Sequence, residues 1–293
     1  MTAIADTVAA PEAMPPRRRR LRLLRRYPIP AAGAALLLAL IACSVGAPWV
    51  APHDPIEMNV VDRLMPPGGD YLFGTDAYGR DILSRTLYGG RVSLIIGLAV
   101  ALASTVLGLF IGVIAGYFRL ADAIIMRVMD GLMAIPGILL AIALMSLTRA
   151  SIWVVIVAIT VPEVPRVVRL VRSVVLSVRE QTYIQAASAI GTRFPRLMRK
   201  HILPNTMAPL IVQATYICAS AVLVESYLSF LGVGTPPEIP SWGNIIAEGR
   251  LYVQIAFWNI LFPGIFLALM VLSINVLGDG LRDMLDPRLA RRL

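Results

Sequence analysis

Lysine is nearly missing from this sequence, and its scarcity excludes one common way of binding nucleotides. Of the 27 lysine and arginine residues in the 293-residue chain, only Lys200 is a lysine. A P-loop needs the pattern Gly-x-x-x-x-Gly-Lys-Ser/Thr, because its lysine reaches the nucleotide phosphates. Lys200 follows Arg199 and precedes His201, so the chain contains no such motif. If ATP drives any activity of this chain, another chain must bind that ATP.

Cysteine and histidine are also scarce, with two residues of each type. Cys43 and Cys218 lie inside apolar runs, and His53 and His201 stand far apart in the sequence. They support neither a disulfide framework nor a zinc site. A membrane-embedded enzyme would need a nucleophile, a metal cluster or an acid–base pair. These residues offer none, so we expect no metal and no catalysis in this chain.

Charged residues are the third scarce class, and apolar residues take their place. Charged residues make up 15% of the chain, against about 25% in an ordinary globular domain. Hydrophobic residues make up 57%, and the mean hydropathy is +0.74. A formal net charge of +9 is compatible with nucleic acid or with a membrane surface. The arginines flank long apolar runs, which favours an all-α integral membrane protein that binds no nucleic acid.

Five apolar runs are long enough to cross a bilayer as helices. A span needs about 20 predominantly apolar residues, and a helix satisfies every backbone amide within the lipid. The runs are 31–51, 92–118, 131–148, 202–224 and 251–278. A sixth run, 150–162, reaches spanning length only if the helix includes Arg166 or residues beyond it.

The distribution of arginine and lysine predicts six spans and an orientation. With six spans and a cytoplasmic N-terminus, the inner segments hold 21 arginine and lysine residues and the outer segments hold six. This split obeys the positive-inside rule, whereas five spans would place the termini on opposite sides. We therefore predict a multi-pass protein of the cytoplasmic (inner) membrane with both termini in the cytoplasm.

The predicted organisation follows from these spans. The segments are a flexible basic cytoplasmic N-terminus (1–28), the first transmembrane helix (29–52), an extracytoplasmic loop (53–90), a transmembrane domain (91–280) and a cytoplasmic tail (281–293). The transmembrane domain includes a cytoplasmic segment that we call the 181–204 loop.

The 181–204 loop has the pattern of a short helix. Thr182 and Gln185 have the spacing of a capping box, which predicts a helix that begins just after Thr182. Ala187 and Gly191 are four residues apart and are expected to share a helix face. Gly191 also suits a helix end, and Pro195 suits the first turn of a second helix. The loop is either an interfacial helix lying against lipid headgroups or a docking surface for a cytoplasmic partner.

Motifs in this loop and along the chain resemble a known family. Gln185-Ala186-Ala187, then Gly191, then Leu203-Pro204 resembles the Glu-Ala-Ala…Gly…Leu-Pro signature of ABC importer permeases. Further segments resemble the C-type permease of the dipeptide/oligopeptide/nickel subfamily, and together the matches extend over roughly residues 30–290. These segments are 73–85, 130–136, 228–232, 240–243 and 278–287.

The resemblance implies a fold, a function and a set of partners. The fold would be the six-helix type I ABC importer permease fold, with a cytoplasmic coupling helix seated in an ATPase cleft. The partners would be a second permease subunit, two ATP-binding subunits and an extracytoplasmic substrate-binding protein. ATP and magnesium would bind to the ATPase partners, and this non-catalytic chain would hold no cofactor. The cargo would be short peptides; nickel chelates, glutathione or another small solute are alternatives within the same importer class.

The resemblance also implies roles for named residues. The ATPase-coupling residues would be Gln185, Ala186, Ala187, Gly191, Leu203 and Pro204. The family usually has glutamate where this chain has Gln185, so any ion pair made by that glutamate is lost here.

On the outer side, the candidate contacts with a binding protein or a substrate path are Asp76, Arg80, Asp81, Glu225 and Trp242. Each has a structural alternative. Asp81 has the spacing to pair with Arg85 along a helix. Glu225 is equally suited to a structural role as a hydrogen-bonded group, and Trp242 is equally suited to an interfacial aromatic belt.

An ion-coupled secondary transporter is the rival function of a different class. It would carry paired ionisable residues near the bilayer midplane, or breaks in corresponding helices of two halves. The sequence shows no such pair.

Overall fold

Helices dominate the computed structural model, which describes residues 28–285. No strand is assigned between these residues. The helices are α1 (Pro28–Val45), α2 (Ala47–Val50), α3 (Ile82–Tyr117), α4 (Arg119–Ala134), α5 (Gly137–Ser146), α6 (Ile152–Arg179), α7 (Thr182–Ala189), α8 (Phe194–Leu197), α9 (Leu203–Phe230), α10 (Trp242–Gly249) and α11 (Trp258–Leu285). Two 3-10 turns (Val60–Asp62 and Arg250–Tyr252) and one π turn (Met198–Ile202) complete the set.

Length and composition decide which helices of the described part can cross a membrane. Four qualify: α1, α3, α11 and the continuous helix Pro195–Phe230, which contains α9. The pair α4 and α5, bent by 88° relative to each other, adds a fifth if the two form one broken span. The run 150–162, predicted as the sixth span, lies in α6, which includes Arg166 and continues to Arg179. Helix α6 is not among the helices that qualify, so the described residues contain four or five candidate spans and the count of six stays a prediction. The expectation of an all-α integral membrane protein is confirmed.

The predicted third run, 131–148, does not form one continuous helix. Helix α4 ends at Ala134, and the chain turns at Ile135 and Pro136 before α5 begins. A residue that precedes proline is sterically disfavoured in the helical region, and Ile135 accordingly adopts φ −94° and ψ 129°. The apolar run therefore divides between two helices that point in different directions.

Four other predicted boundaries differ from the structure. The first transmembrane helix was predicted at 29–52, whereas α1 ends at Val45 and a turn at Gly46 separates it from α2. Helix α3 begins at Ile82, inside the predicted outer loop 53–90, because Asp81 caps it there. Helix α11 begins at Trp258 rather than 251, since residues 250–257 form turns, and it continues to Leu285 within the predicted tail 281–293. The predicted N-terminal segment up to residue 27 and the tail from residue 286 lie outside the described residues.

Helices α3 and α6 pack so closely that three positions of α3 have no room for a side chain. Three glycines of α3, spaced four apart, face three valines of α6. A Cβ added to each glycine would lie 2.4–2.7 Å from the Cβ of the facing valine. The pairs are Gly108 with Val167, Gly112 with Val171 and Gly116 with Val175. Small residues at this spacing are a common basis of close helix packing in membranes, and here they make α3 and α6 a single unit.

The remaining helices surround this pair. Helix α9 packs against α3 and α11, and α1 packs against α11. A cluster of buried residues that includes Leu40, Val222, Trp242 and Met270 joins α1, α9, α10 and α11. Large apolar side chains such as Leu98 remain exposed on the outside of the bundle, as expected for a surface covered by lipid or by other membrane chains.

Candidate functional site

The first half of the 181–204 loop is a short helix, α7, as predicted, but the predicted capping box is absent. Thr182 is the first helical residue, the preceding Gln181 is the cap position, and no side chain caps the helix. The side-chain amide of Gln185 donates to the carbonyl oxygen of Glu180 at 3.3 Å. The spacing of Thr182 and Gln185 therefore located the helix correctly to within one residue, but for the wrong physical reason.

Gly191 ends α7 in the conformation that the sequence predicts. Its φ is +81°, its N–H donates to the Ser188 carbonyl at 3.0 Å, and the Thr192 N–H donates to the Ala187 carbonyl at 3.1 Å. These are the two bonds of a Schellman motif. Gly191 therefore lies beyond the helix, and the expectation that it shares a helix face with Ala187 is wrong. A Cβ added to Gly191 would meet nothing within 4 Å.

One buried side chain fixes α7 to the bundle. Ile184 is 2% exposed and belongs to the main apolar core. Val178 from the end of α6 and Ile202 from the π turn belong to the same core. Tyr183 adds a ring contact with His201, with centroids 5.8 Å apart. The loop is therefore attached to the bundle at both of its ends and through its middle.

The second half of the loop leads directly into α9. Pro195 is the second residue of α8, within the first turn as predicted. In the π turn that follows, the Leu203 N–H donates to the Met198 carbonyl, five residues earlier. Pro204 carries no N–H and cannot continue an ordinary helical ladder. Leu203 and Pro204 are thus the first two residues of α9, and the wider π turn connects them to α8 without a break.

The free surface of the loop has an apolar tip and a basic flank. Ile190 is 84% exposed, and Gln185, Ala186 and Ala189 are also exposed, whereas Ala187 is half-buried. The basic flank consists of exposed Arg193, Arg196, Arg199 and Lys200. This surface therefore combines one strongly exposed apolar side chain with four exposed basic side chains.

Helix α6 connects this loop to α3. Arg179, the last residue of α6, donates from Nη1 to the carbonyl oxygens of Gly116 at 2.9 Å and Tyr117 at 2.8 Å. These carbonyls end α3, where a cation also interacts favourably with the helix dipole. Two further ion pairs join α6 to α4: Arg172 with Asp122 and Arg169 with Asp130, each with a 2.7 Å contact.

At the opposite end of α3, four charged side chains form a cluster that we call the outer clasp. It consists of Asp76, Arg80, Arg85 and Glu248. Arg80 Nε lies 2.6 Å from Asp76 Oδ2, and Arg80 also pairs with Glu248. Arg85 Nη2 lies 3.1 Å from Glu248 Oε2. The clasp therefore ties the 53–81 loop and the start of α3 to α10.

Asp81 takes a different role from the one its spacing suggested. Its carboxylate accepts hydrogen bonds from the N–H groups of Leu83 and Ser84, at 3.3 and 2.9 Å, and so caps α3. A capping aspartate at the N-terminus of a helix is favoured by both hydrogen bonding and the helix dipole. The alternative of a pair between Asp81 and Arg85 is wrong, because Arg85 turns to Glu248 instead.

The two remaining outer residues lie in the protein interior. Trp242 is fully buried and its Nε1 donates to the Thr86 carbonyl at 2.9 Å, so it does not lie in an interfacial belt. Glu225 is also fully buried and is surrounded by hydroxyl groups. Asp76, Arg80 and Asp81 are at most 5% exposed. A contact between these three residues and another chain would therefore require the outer loop to rearrange.

Sequence reasoning missed Glu248 and the glycine stripe. Glu248 lies 168 residues from its partner Arg80, and nothing in its local sequence indicates that pairing. The glycines did carry a signal, since Gly108, Gly112 and Gly116 repeat every four residues within an apolar run. That pattern is the small-xxx-small spacing of closely packed membrane helices.

Comparison with family models supports the resemblance read from the motifs. Residues 104–291 match the binding-protein-dependent transport system inner membrane component. Residues 16–67 match the N-terminal TM domain of oligopeptide transport permease C. A chain of the inward-facing MetNI methionine ABC transporter has a similar fold. Its TM-score is 0.57 at 22% identity, covering 69% of this chain and 96% of that one.

Relatives with curated names match nearly the whole chain. A probable peptide ABC transporter permease of Sinorhizobium fredii is 55% identical, covering 92% of this chain and 93% of its own length. The dipeptide transport system permease protein DppC of Alkalihalophilus pseudofirmus is 40% identical, covering 94% and 91%. The di/tripeptide DppC of Pseudomonas aeruginosa is 42% identical, covering 88% and 87%. The chain therefore belongs to the family of binding-protein-dependent transport system inner membrane components, the non-catalytic permease subunits of ABC transporters.

Proposed function

We propose that this chain is one permease subunit of an ABC importer for short peptides, in the inner membrane with both termini in the cytoplasm. The family match gives the transporter class, and the names of the relatives support di- and oligopeptide cargo. The arginine distribution supports the orientation. Nickel chelates, glutathione and other small solutes are the alternative cargoes.

The observation that carries the proposal is the geometry of the 181–204 loop. Its apolar tip at Ile190 projects 84% exposed from a helix anchored by Ile184. This tip would occupy a cleft in a cytoplasmic ATPase subunit, with the basic flank beside it. ATP and magnesium would bind to two such ATPase chains, since this chain has no P-loop. A second permease and an extracytoplasmic binding protein would complete the importer.

The contacts inside the chain supply a route for the motion. A displacement of α7 would move α6 through the Ile184 core, and the glycine stripe and Arg179 would move α3 with it. Helix α3 is 36 residues long, and its N-terminal end carries Arg85 of the outer clasp. Motion at the cytoplasmic loop would therefore change the clasp. ATP can shift the transporter between states only if the ATPase binds this loop differently in each state.

Uptake by the reconstituted complex tests the proposed function. The chain is co-expressed with its partner permease, ATPases and binding protein, purified in mild detergent and placed in liposomes. We expect ATP-dependent uptake of a labelled dipeptide that needs the binding protein. Uptake driven by an ion gradient without ATP would instead establish a secondary transporter. ATP-dependent uptake of nickel chelates or glutathione but not of peptides would correct the cargo.

Two glycines offer a matched pair of variants for the docking role. Gly191 and Gly232 both have φ of +81°, and neither would have a neighbour within 4 Å of an added Cβ. A side chain at either position therefore experiences a similar backbone strain. We expect Gly191→Trp to lose the ATPase chains on purification while the chain still inserts into the membrane. Gly232→Trp should retain them, and retention by both variants would contradict docking at the 181–204 loop.

A further inference from the structure

A buried polar cluster surrounds Glu225 near the predicted outer end of the bundle. Glu225 is 0% exposed and accepts a hydrogen bond from Ser229 Oγ at 2.9 Å. Ser93 Oγ of α3 lies 3.3 Å from Glu225 Oε2. Thr235 Oγ1 lies 3.4 Å from Glu225 Oε1, the oxygen that also accepts from Ser229. Thr235 in turn donates to Ser241, the residue that caps α10. The cluster thus links α9, α3, the 231–241 segment and α10.

No cation compensates this carboxyl group among residues 28–285. Every side chain that forms a hydrogen bond with it does so through a hydroxyl, and it forms no ion pair in that part of the chain. A buried ionised carboxylate without a partner is strongly unfavourable, and such a group is normally neutralised. The charged and titratable groups on the neighbouring helices are engaged elsewhere: Arg85 pairs with Glu248, and Arg91 lies over the Tyr88 ring.

Two of the hydroxyl groups near Glu225 direct their hydrogens to other acceptors. Ser226 directs its hydrogen to the Val222 carbonyl at 3.0 Å, closer than its 3.5 Å approach to Glu225. Thr235 is closer to Ser241, at 3.1 Å, than to Glu225. Ser229, Ser93 and Ser241 remain as donors, and none of them carries a charge. A protonated Glu225 would instead donate its own hydrogen to the free lone pairs of Thr235 or Ser93.

We propose that Glu225 is a proton-binding site, and that its neutral, hydrogen-bonded carboxyl fastens the outer ends of α9 and α10 to α3. Asn244 of α10 extends the connection, because its amide donates to the carbonyls of Thr235, Pro236 and Ile239 at 3.0–3.2 Å. Helix α10 also carries Glu248 of the outer clasp. The neutral carboxyl and the ionic clasp are therefore two separate attachments of the same helix to α3.

Infrared spectroscopy of the purified complex tests the protonation state directly. The difference spectrum between wild type and Glu225→Gln at neutral pH should contain the carbonyl band of a protonated carboxyl in the wild type only. Appearance of a carboxylate band in its place would overturn the proposal. This measurement does not depend on transport, so it remains informative whatever the cargo proves to be.

Thermal unfolding in detergent tests the fastening role with a conservative rescue. Glu225→Ala leaves buried hydroxyls unsatisfied and should lower the unfolding midpoint by about 2–4 °C or more. Glu225→Gln resembles the neutral acid and should restore most of that loss, while exposed Glu238→Gln serves as the control. If Glu225→Gln lowers the unfolding midpoint as much as Glu225→Ala does, the neutral carboxyl does not fasten the helices and the proposal fails. A sodium-dependent midpoint that disappears in Glu225→Gln would show a cation site instead, which also overturns it. If Glu225→Ala does not fold, the proposal is still tested by the unfolding midpoint of Glu225→Gln and by the infrared band of the protonated carboxyl.

Discussion

The close packing of α3 on α6 can be tested by adding one methyl group. In Gly108→Ala, the new Cβ would lie 2.4 Å from Val167 Cβ and 2.5 Å from Val167 Cγ1. Carbon atoms in favourable contact are about 3.5–4.0 Å apart, so the two helices must separate by roughly 1 Å. Overpacking of this kind costs about 1–3 kcal/mol. Since α3 and α6 transmit motion from the 181–204 loop in our proposal, the same change should reduce transport.

Gly264→Ala in α11 is the matched control for this variant. A Cβ there would meet nothing within 4 Å. Both substitutions gain the same helix propensity of about 0.5–1 kcal/mol. The difference between their unfolding free energies therefore isolates the steric term of about 1–3 kcal/mol. Unfolding in detergent and dipeptide uptake in liposomes should both rank Gly108→Ala below wild type and Gly264→Ala at or above it.

A second-site change sharpens the test. Val167→Gly removes the two atoms that a methyl group at position 108 would approach closer than 3.0 Å. The double variant Gly108→Ala/Val167→Gly should therefore be less impaired than the sum of the single variants, a coupling that a double-mutant cycle measures. Equal stability of Gly108→Ala and Gly264→Ala, or strict additivity in the cycle, would refute the packing argument and the role assigned to the α3–α6 unit.

Two further predictions concern the ends of this unit. Glu248→Gln leaves the buried guanidinium groups of Arg80 and Arg85 with Asp76 as their remaining acidic partner. The change should cost about 3 kcal/mol or less, since the Glu248 side chain is itself 27% exposed. Unfolding measurements should show no comparable loss for exposed Glu238→Gln, and equal effects of the two variants would contradict the clasp. Ile184→Ala removes the buried anchor of α7 and should cost about 2–5 kcal/mol. Tyr183→Ala, at a half-exposed neighbour, should be milder in the same assay; the reverse order would show that α7 is held by a different contact.

Sequence patterns predicted the helices and turns that are determined by a single residue or by a run of consecutive residues. Apolar runs located the long helices, because spanning length and lipid exposure act on consecutive residues. The positive φ of Gly191 and the position of Pro195 were also predictable, since each follows from the geometry of a single residue. The helix break at Ile135 and Pro136 could also have been predicted, because a residue before proline disfavours the helical conformation. It was missed because the apolar run continues on both sides of the proline.

Features that depend on distant residues were not predictable in this way. Asp81 and Arg85 had the right spacing for a pair, yet the fold offers Asp81 the N–H groups of α3 and offers Arg85 the carboxylate of Glu248. The residues that meet around Glu225 come from four segments of the chain, and only the tertiary structure brings them together. Trp242 likewise looks interfacial in sequence and is buried because α10 folds back onto α3.

The central claim is that the tip of the 181–204 loop contacts an ATPase subunit. A cysteine at Ile190, which is 84% exposed, can be cross-linked to partner chains after Cys43 and Cys218 are replaced by alanine. Ile255→Cys, 65% exposed at the predicted outer end, is the matched control. We predict a cross-link from position 190 to an ATPase chain and none from position 255. A cross-link to the ATPase from position 255, or none from position 190 in an intact complex, would contradict it.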